Sequence, residues 1–413
     1  MKDNLILHCL SCGETLLSPP PSVGNCPQCG GILHVQGYVY DRARLIDSLD
    51  APEGMGIWRF HELLPVERSS SWTTLGEGNT PLHRMIVDQH LYIKDETRNP
   101  TGSFKDRATA VAVSAAREAK AQGVLVASSG NAGASAAAYA TAAGLGAVVL
   151  VPEGVPAAKL VQIHAYGACV LRVAGDYSNS FSLADQLVKQ TNWANVTTTY
   201  LNPFGLEGDK TVAYELNAQL SGRIPDWILI PVGAGPLLAG VYRGYQELKQ
   251  MGMVSRLPRM IAVQSSGCAP IVEAFEAGRA TVEAWEHPEG IASGILDPLR
   301  GYPQDGSRTL SLVRESGGLA VSVSDEELLL SVVELGRRGI FAEPAGAAGY
   351  AAVRVLRDHL AIGREDLLVA LVTGSGFKNM GPLAARWTEE QTIPPRVDVA
   401  IAALAERGVR IDV

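Results

Sequence analysis

Short apolar runs recur along the chain, separated by stretches with helical spacing. Leu91 to Lys94, Val124 to Ala127, Ala147 to Val151 and Cys169 to Val173 read as strands. Between and beyond them, Asp106 to Gln122, Ala132 to Ala143, the stretch from Pro156 to about Gly167, and Tyr177 to Thr191 read as helices. A second set of strands is expected at Trp227 to Val232, Met260 to Val263 and Leu367 to Val372, again with helices between. Runs that are apolar at consecutive positions belong to strands covered on both faces, and alternation of strand and helix at these lengths builds wound parallel sheets. The expected fold class is α/β with two such sheets. From Tyr38 to Pro81 the pattern is irregular, apart from a short helical stretch at Asp41 to Leu49, and no tandem repeat or low-complexity tract interrupts it.

At 413 residues the chain exceeds what one core usually supports, so two domains plus an accessory element are expected. A hydrophobic content of 46% with 19% charged residues is that of an ordinary globular enzyme. The net charge of -8 and the lack of any basic block argue against nucleic acid or anionic lipid as partners. The apolar run Leu5 to Leu7 is too short for a signal segment, and no later stretch reaches membrane-spanning length. A cytoplasmic enzyme acting on a small molecule is expected, with no nucleic-acid or membrane partner; a homodimer is compatible with it.

Four of the six cysteines form two CxxC pairs, Cys9 with Cys12 and Cys26 with Cys29. The spacing suits a four-thiolate zinc ribbon, with Gly13 and Gly30 permitting the turns. A disulfide framework would require an oxidising compartment, for which the chain carries no signal. A closed set of four thiolates leaves no open coordination position, so the expected zinc is structural. Cys169 and Cys268 stand apart and read as packing residues or free thiols.

Three loops follow apolar strands and open helices. The first, Asn99 to Arg107, delivers Lys105 at the start of an alanine-rich helical pattern, a setting suited to an amine that bonds a carbonyl carbon. In the second, Ser128, Ser129, Gly130 and Asn131 bring hydroxyl, backbone and amide groups to a helix start, which suits a carboxylate or a phenolic oxygen. The third, Gly233, Ala234 and Gly235 with a helix beginning near Leu237, reads as a cup for a single phosphate. Its spacing departs from a dinucleotide fingerprint, and the next strand ends in Gln264 where an acidic ribose ligand would be wanted. Thr373, after the last buried strand, could set a neutral hydroxyl against a ring nitrogen. Facing strand ends of two sheets place these loops in one cleft.

With these stretches, LGEGNTPL at 75–82, KDETRNPTGSFKDR at 94–107, SSGNAGASAAAYA at 128–140, LNPFGLEGDKT at 201–211, IFAEPAGAAG at 340–349 and VTGSGFKN at 372–379, the chain resembles the pyridoxal-phosphate enzymes of fold type II. The threonine synthase family is the most similar. The resemblance implies that Lys105 is the Schiff-base lysine and proton carrier, that Asn131 contacts the cofactor's ring hydroxyl, and that Gly233, Ala234, Gly235 and Leu237 hold its phosphate. It implies that Thr373 faces the pyridine nitrogen, and that Ser128, Ser129, Gly130 and Ala132 meet the substrate. It divides the chain into a zinc-ribbon element at 1–37, a large domain at 38–122 and 206–413, and a smaller one at 123–205.

Departures accompany the matches. Gly205 stands where that family carries an arginine for the substrate phosphate, Thr199 and Tyr200 stand where hydroxyl and amide groups are expected, and Ala132 replaces a threonine. Without a bidentate arginine a doubly charged leaving group loses its natural anchor, so a substrate other than homoserine phosphate is expected. The expected activity is β- or γ-elimination or replacement on a small L-amino acid. Threonine or serine dehydration and a cysteine- or cysteate-synthase-like replacement are the alternatives, and a catalytically retired metabolite-binding relative is the non-enzymatic one.

Overall fold

The computed structural model describes all residues except 1, 3, 18, 21, 22, 50–52, 87, 176, 359, 360, 386–391 and 410–413. Near the N-terminus, β1 (Ile6–Cys9), β2 (Thr15–Leu16) and β3 (Leu33–Gln36) form an antiparallel sheet in the order β2-β1-β3. Leu7, Cys9, Leu33 and Val35 alternate inward and make its small core.

Two further sheets carry the rest of the fold. The larger is built from β4 (Leu82–Arg84), β5 (Leu91–Asp95), β10 (Trp227–Pro231), β11 (Arg259–Ser265), β12 (Leu319–Val323) and β13 (Leu368–Val372). Its order is β12-β11-β10-β13-β5-β4, parallel throughout except for the antiparallel edge strand β4. The smaller is fully parallel, ordered β8-β7-β6-β9 from β6 (Gly123–Ala127), β7 (Gly146–Pro152), β8 (Cys169–Val173) and β9 (Trp193–Asn195). Every residue of β5, β6, β10 and β13 is buried; β6, β10 and β13 are accordingly apolar at consecutive positions, while β5 ends in Lys94 and Asp95, both buried and hydrogen-bonded.

Several elements differ from the sequence pattern, which also leaves out strands β9 and β12. The helix after the lysine loop runs Lys105–Glu118 and stops short of Gln122, because Lys120 turns to a left-handed backbone with φ of 59°. Strand β11 is longer at both ends than Met260 to Val263. Strand β9 has only three residues, too few for any periodic signal. In β12 the apolar run is broken by Ser322, half-buried between buried neighbours. Of the two isolated cysteines, Cys268 is buried and Cys169 is exposed.

Helices pack tightly behind the lysine loop. A Cβ at Gly208 would lie 2.0 Å from the carbonyl oxygen of Arg107, so only glycine lets the Gly205–Asp209 helix approach the lysine helix this closely. Polar groups between the helices are paired rather than excluded. The Arg107 guanidinium spans Glu96 and Glu215, and Lys94 Nζ lies 2.7 Å from Glu215 Oε2, all four side chains fully buried. A second buried cluster ties the N-terminal sheet to the body. Tyr38 donates to Glu207 at 2.7 Å, Lys210 pairs with Glu207 and Glu247, and Arg243 pairs with both carboxylates while donating to the Val35 carbonyl.

The chain divides into two units, 1–379 and 380–413; the second contains the helices Gly381–Ala384 and Val397–Glu406. Among the described residues no helix is long and apolar enough to cross a membrane.

Candidate active site

Strands β5 and β13 are parallel neighbours, so the loops leaving their carboxyl ends lie side by side. Backbone bonds lock them together. Phe104 N donates to the Thr373 carbonyl at 3.0 Å, Ser375 N donates to the Gly102 carbonyl at 2.9 Å, and Ser103 bridges Gly374. Asp106 fixes the same loop from beneath. Its carboxylate accepts from Thr101 N, Thr101 Oγ1 and Ser135 Oγ at 2.6 to 2.7 Å, and so joins the lysine helix to the Asn131–Ala143 helix.

Lys105 emerges half-buried from this scaffold into a cavity of about 1060 Å³. Thr373 lines the cavity beside it. The loop after β6 contributes Ser128, Ser129, Gly130, Asn131 and Ala132. The loop after β10 contributes Gly233, Ala234, Gly235 and Leu237. The structure thus brings every residue that the sequence assigned to cofactor or substrate to one cavity. The cysteines lie apart from it and converge on one another: all four Sγ atoms fall within 4.8 Å of each other, with Cys9 3.5 Å from Cys29 and Cys12 3.7 Å from Cys26.

The loop after β10 is shaped by its neighbours. Gly235 has φ of 107°, and a Cβ there would lie 2.1 Å from Thr309 Oγ1. That hydroxyl donates to the Ala234 carbonyl at 2.6 Å and meets Tyr200 OH at 3.0 Å. Carbonyls at 234 and 235 are therefore turned away and bonded, while the N–H groups of 233–237, except proline 236, lie before or within the first helical turn of Pro236–Gln250, where helices leave donors unpaired. Gln264 serves the loop too: its amide donates to the Gly233 carbonyl at 3.4 Å and accepts from Ile271 N at 2.9 Å, a structural duty that leaves no ribose-binding role.

Electrostatics favour a reactive amine. Burial draws the Lys105 ammonium down to about 8, against Asp209 and Asp297, which hold it up. Asp209 is pushed up to about 7 by its own burial, and Asp297 is raised for the same reason. Asp297 Oδ1 accepts from Leu299 N at 3.0 Å and Tyr302 OH at 2.8 Å, and its Cβ lies 3.1 Å from where a Gly233 Cβ would stand. Glu343 completes the wall. Its Oε1 accepts from Asn131 Nδ2 at 2.6 Å, orienting that amide, and burial raises its carboxyl.

Sequence reasoning missed Asp297 and Thr309, whose segments carry no repeat, spacing or loop signature. Glu343 was within reach, since it precedes the Pro-Ala-Gly helix start in a motif already singled out. The departures from the threonine synthase pattern fall in different places. Ala132 lines the cavity, as does Thr199. Tyr200 turns its hydroxyl to Thr309, and buried Gly205 faces Ala108 and Asn202, so neither lines the cavity.

The donor set fits a phosphorylated, aldehyde-bearing ring: an amine drawn toward neutrality, a cradle of backbone N–H groups and a neutral hydroxyl at Thr373, within a cavity at the upper end of ligand-site volumes. The sequence profile described as "Pyridoxal-phosphate dependent enzyme" matches residues 73–374. Threonine synthase of Methanocaldococcus jannaschii is 35% identical over 409 residues, covering 96% of this chain and 98% of that protein. The Methanosarcina acetivorans threonine synthase is 36% identical over 408 residues, with the same coverage of 96% and 98%. Among solved structures, maize serine racemase superposes with a TM-score of 0.64 at 20% identity, covering 84% of this chain and 97% of that one. The processed form of threonine deaminase isoform 2 from Solanum lycopersicum superposes with a TM-score of 0.63 at 20% identity, covering 81% and 84%. Together with a cavity built around Lys105, these likenesses identify the chain as a member of the pyridoxal-phosphate dependent enzymes of fold type II, a lyase of the threonine-synthase-like kind.

Proposed function

We propose that Lys105 carries pyridoxal phosphate and that the protein catalyses elimination or replacement at the β- or γ-carbon of a small L-amino acid. The observation that carries this reading is the convergence of Lys105, the 233–237 loop, Asn131 and Thr373 on one cavity. Bound there, the cofactor supplies an electron sink that stabilises negative charge at the amino acid's α-carbon.

The chain's own residues do the rest. Backbone N–H groups of Gly233, Ala234, Gly235 and Leu237 hold the phosphate, assisted by the helix N-terminus behind them. Asn131, fixed by Glu343, meets the ring hydroxyl, and Thr373 offers an uncharged partner to the ring nitrogen. The 128–132 loop receives the substrate carboxylate through its N–H groups. Lys105 Nζ takes and returns the α-proton. An amine with a value near 8 exchanges a proton close to neutral pH, where an unshifted lysine near 10.5 would hold it. Asp297 and Asp209 are the nearby carboxyls that stabilise the protonated amine between transfers.

The cysteine cluster fits a tetrahedral metal ion by its chemistry and convergence, and we assign it a structural zinc. Cys9 closes β1, and the turns through Gly13 and Gly30, with φ of 79° and 73°, bring the other thiols to it.

Purified protein supplied with pyridoxal phosphate is expected to show a visible absorbance band that Lys105→Ala lacks. Incubation with homoserine phosphate, threonine, serine and O-acetylserine, following phosphate, ammonia and keto acid, then identifies the reaction. Wild-type protein that remains colourless would overturn the proposal.

A further inference from the structure

A second pocket lies behind the phosphate cup. It measures about 270 Å³ and is enclosed by β3 of the N-terminal sheet, the 199–206 segment, and the helices Pro236–Gln250 and Pro303–Glu315. Ile32, Leu206, Ala239 and Leu312 give it an apolar floor. Its volume, just under the usual range for ligand sites, suits a small metabolite.

Charges on its wall are unbalanced. Glu247, the one carboxylate among the lining residues, accepts from Tyr40 and Tyr214 and pairs with Lys210 and Arg243, and Arg243 has Glu207 as a second partner. Arg308 has none. Half-buried on the Pro303–Glu315 helix, it makes no ion pair and no side-chain hydrogen bond among the described residues. Burial, then Arg243, His8 and Arg308, push the His34 imidazole on the same wall down to about 3, so it stays neutral. A guanidinium keeps five donors for a ligand, and one uncompensated positive charge above an apolar floor matches a carboxylate that it can grip with two parallel bonds.

The pocket also shares a wall with the Lys105 cavity, since Thr199 and Pro236 line both. Tyr200 lines it as well, and its hydroxyl meets Thr309 Oγ1 at 3.0 Å, which in turn donates to the Ala234 carbonyl at 2.6 Å. Arg308 immediately precedes Thr309. An anion drawn to Arg308 therefore bears on the helical turn that supports the cup.

We propose that this pocket is a second binding site, that it takes a small organic carboxylate with a short apolar body, and that its occupancy steadies the phosphate cup. Arg308 grips the carboxylate and the floor receives the apolar part. Packing of the ligand against Tyr200 and Pro236 holds the Tyr200–Thr309–Ala234 chain in place, so ligand and cofactor strengthen each other's binding reciprocally. The site goes beyond the proposed function; only its link to the cup rests on that reading.

The site is tested by calorimetric titration of the full chain, supplied with pyridoxal phosphate, with benzoate, 4-methylpentanoate and neutral benzyl alcohol. At least one carboxylate should bind at about 1 mM or tighter, and roughly 10-fold or more ahead of the alcohol. Arg308→Gln should lose about 10-fold of that affinity, and Arg308→Lys should recover part of it. The link is tested by absorbance titration of cofactor-free protein with pyridoxal phosphate. A saturating level of the tighter carboxylate should lower the half-loading concentration about 5-fold or more. Tyr200→Phe should still bind the carboxylate but lose most of this effect. Equal binding of the alcohol and both carboxylates overturns the site, as does a preference that survives in Arg308→Gln. Loading that is unchanged or weakened by the bound carboxylate overturns the link. A wild-type protein without a visible band brings down the proposed function and the link, while the calorimetry still decides the site.

Discussion

Replacing Arg107 by methionine measures how far the lysine helix depends on the ion cluster behind it. Arg107 sits two residues after Lys105, and its guanidinium makes four contacts of 2.8 Å, two to Glu96 and two to Glu215. Burial works to neutralise both carboxyls, but Arg107 and Lys94 reverse it and hold both below the ordinary carboxylate range. Methionine fills most of the volume but leaves Glu96 without the cation it pairs with. Breaking one side of a buried ion pair costs about 3–5 kcal/mol. With an unfolding entropy near 2.1 cal/mol/K per residue, a chain of this length loses roughly 3–6 °C of melting temperature for that change. Urea denaturation at pH 7, followed by tryptophan fluorescence, gives the free energy directly. The sign with pH is fixed. A carboxyl whose folded value is depressed contributes stability above its unfolded value of 4.5, lost as pH falls through the folded one. Wild type should therefore weaken below pH 4.5, and Arg107→Met should show a shallower decline. A cost under about 1 kcal/mol, or parallel pH profiles, refutes the account of the cluster.

Gly235→Ala places a methyl against Thr309 at a left-handed backbone position, and should raise the concentration of pyridoxal phosphate needed for half-loading about 10-fold or more; unchanged loading by absorbance titration contradicts the cup assignment. Glu77 is pushed up to about 7 by burial despite bonds from Tyr139, Thr74 and Leu75, so its contribution is present below 4.5 and lost as pH rises through 7. Glu77→Gln should remove on the order of 2–3 kcal/mol from the decline between pH 5 and 8, and urea midpoints that fall in parallel with wild type would rule this out. For the cysteine cluster, about one zinc per chain is expected by elemental analysis, with chelation or Cys12→Ser lowering the melting temperature while the visible cofactor band persists; metal-free protein of unchanged stability would count against a structural ion.

Much of this was legible in the chain because the physics behind it is local. Strands buried on both faces must be apolar at consecutive positions, so β6, β10 and β13 announce themselves. Paired CxxC turns and small-residue loops before helices are local as well. Long-range pairing leaves no such trace. Asp106 and Arg107 read as residues without chemistry, yet one pins the lysine loop to the Asn131 helix and the other closes an ion cluster with Glu215, 108 positions away. Asp297 looks like any turn residue before proline. The three-residue strand β9 is recruited by its partner β6 rather than by any preference of its own.

The loops around Lys105 are joined by main-chain atoms at Phe104, Gly102, Thr373 and Ser375. Such a junction is set by backbone geometry, with Gly102 holding a left-handed φ of 85°, and it makes no use of the side chain at 103. The buried Ser103 hydroxyl has no partner among the described residues, so alanine there should leave the amine's aim untouched. The direction of the amine is thus carried by the main chain of two neighbouring loops, and the hydroxyl at 103 is a passenger on that frame.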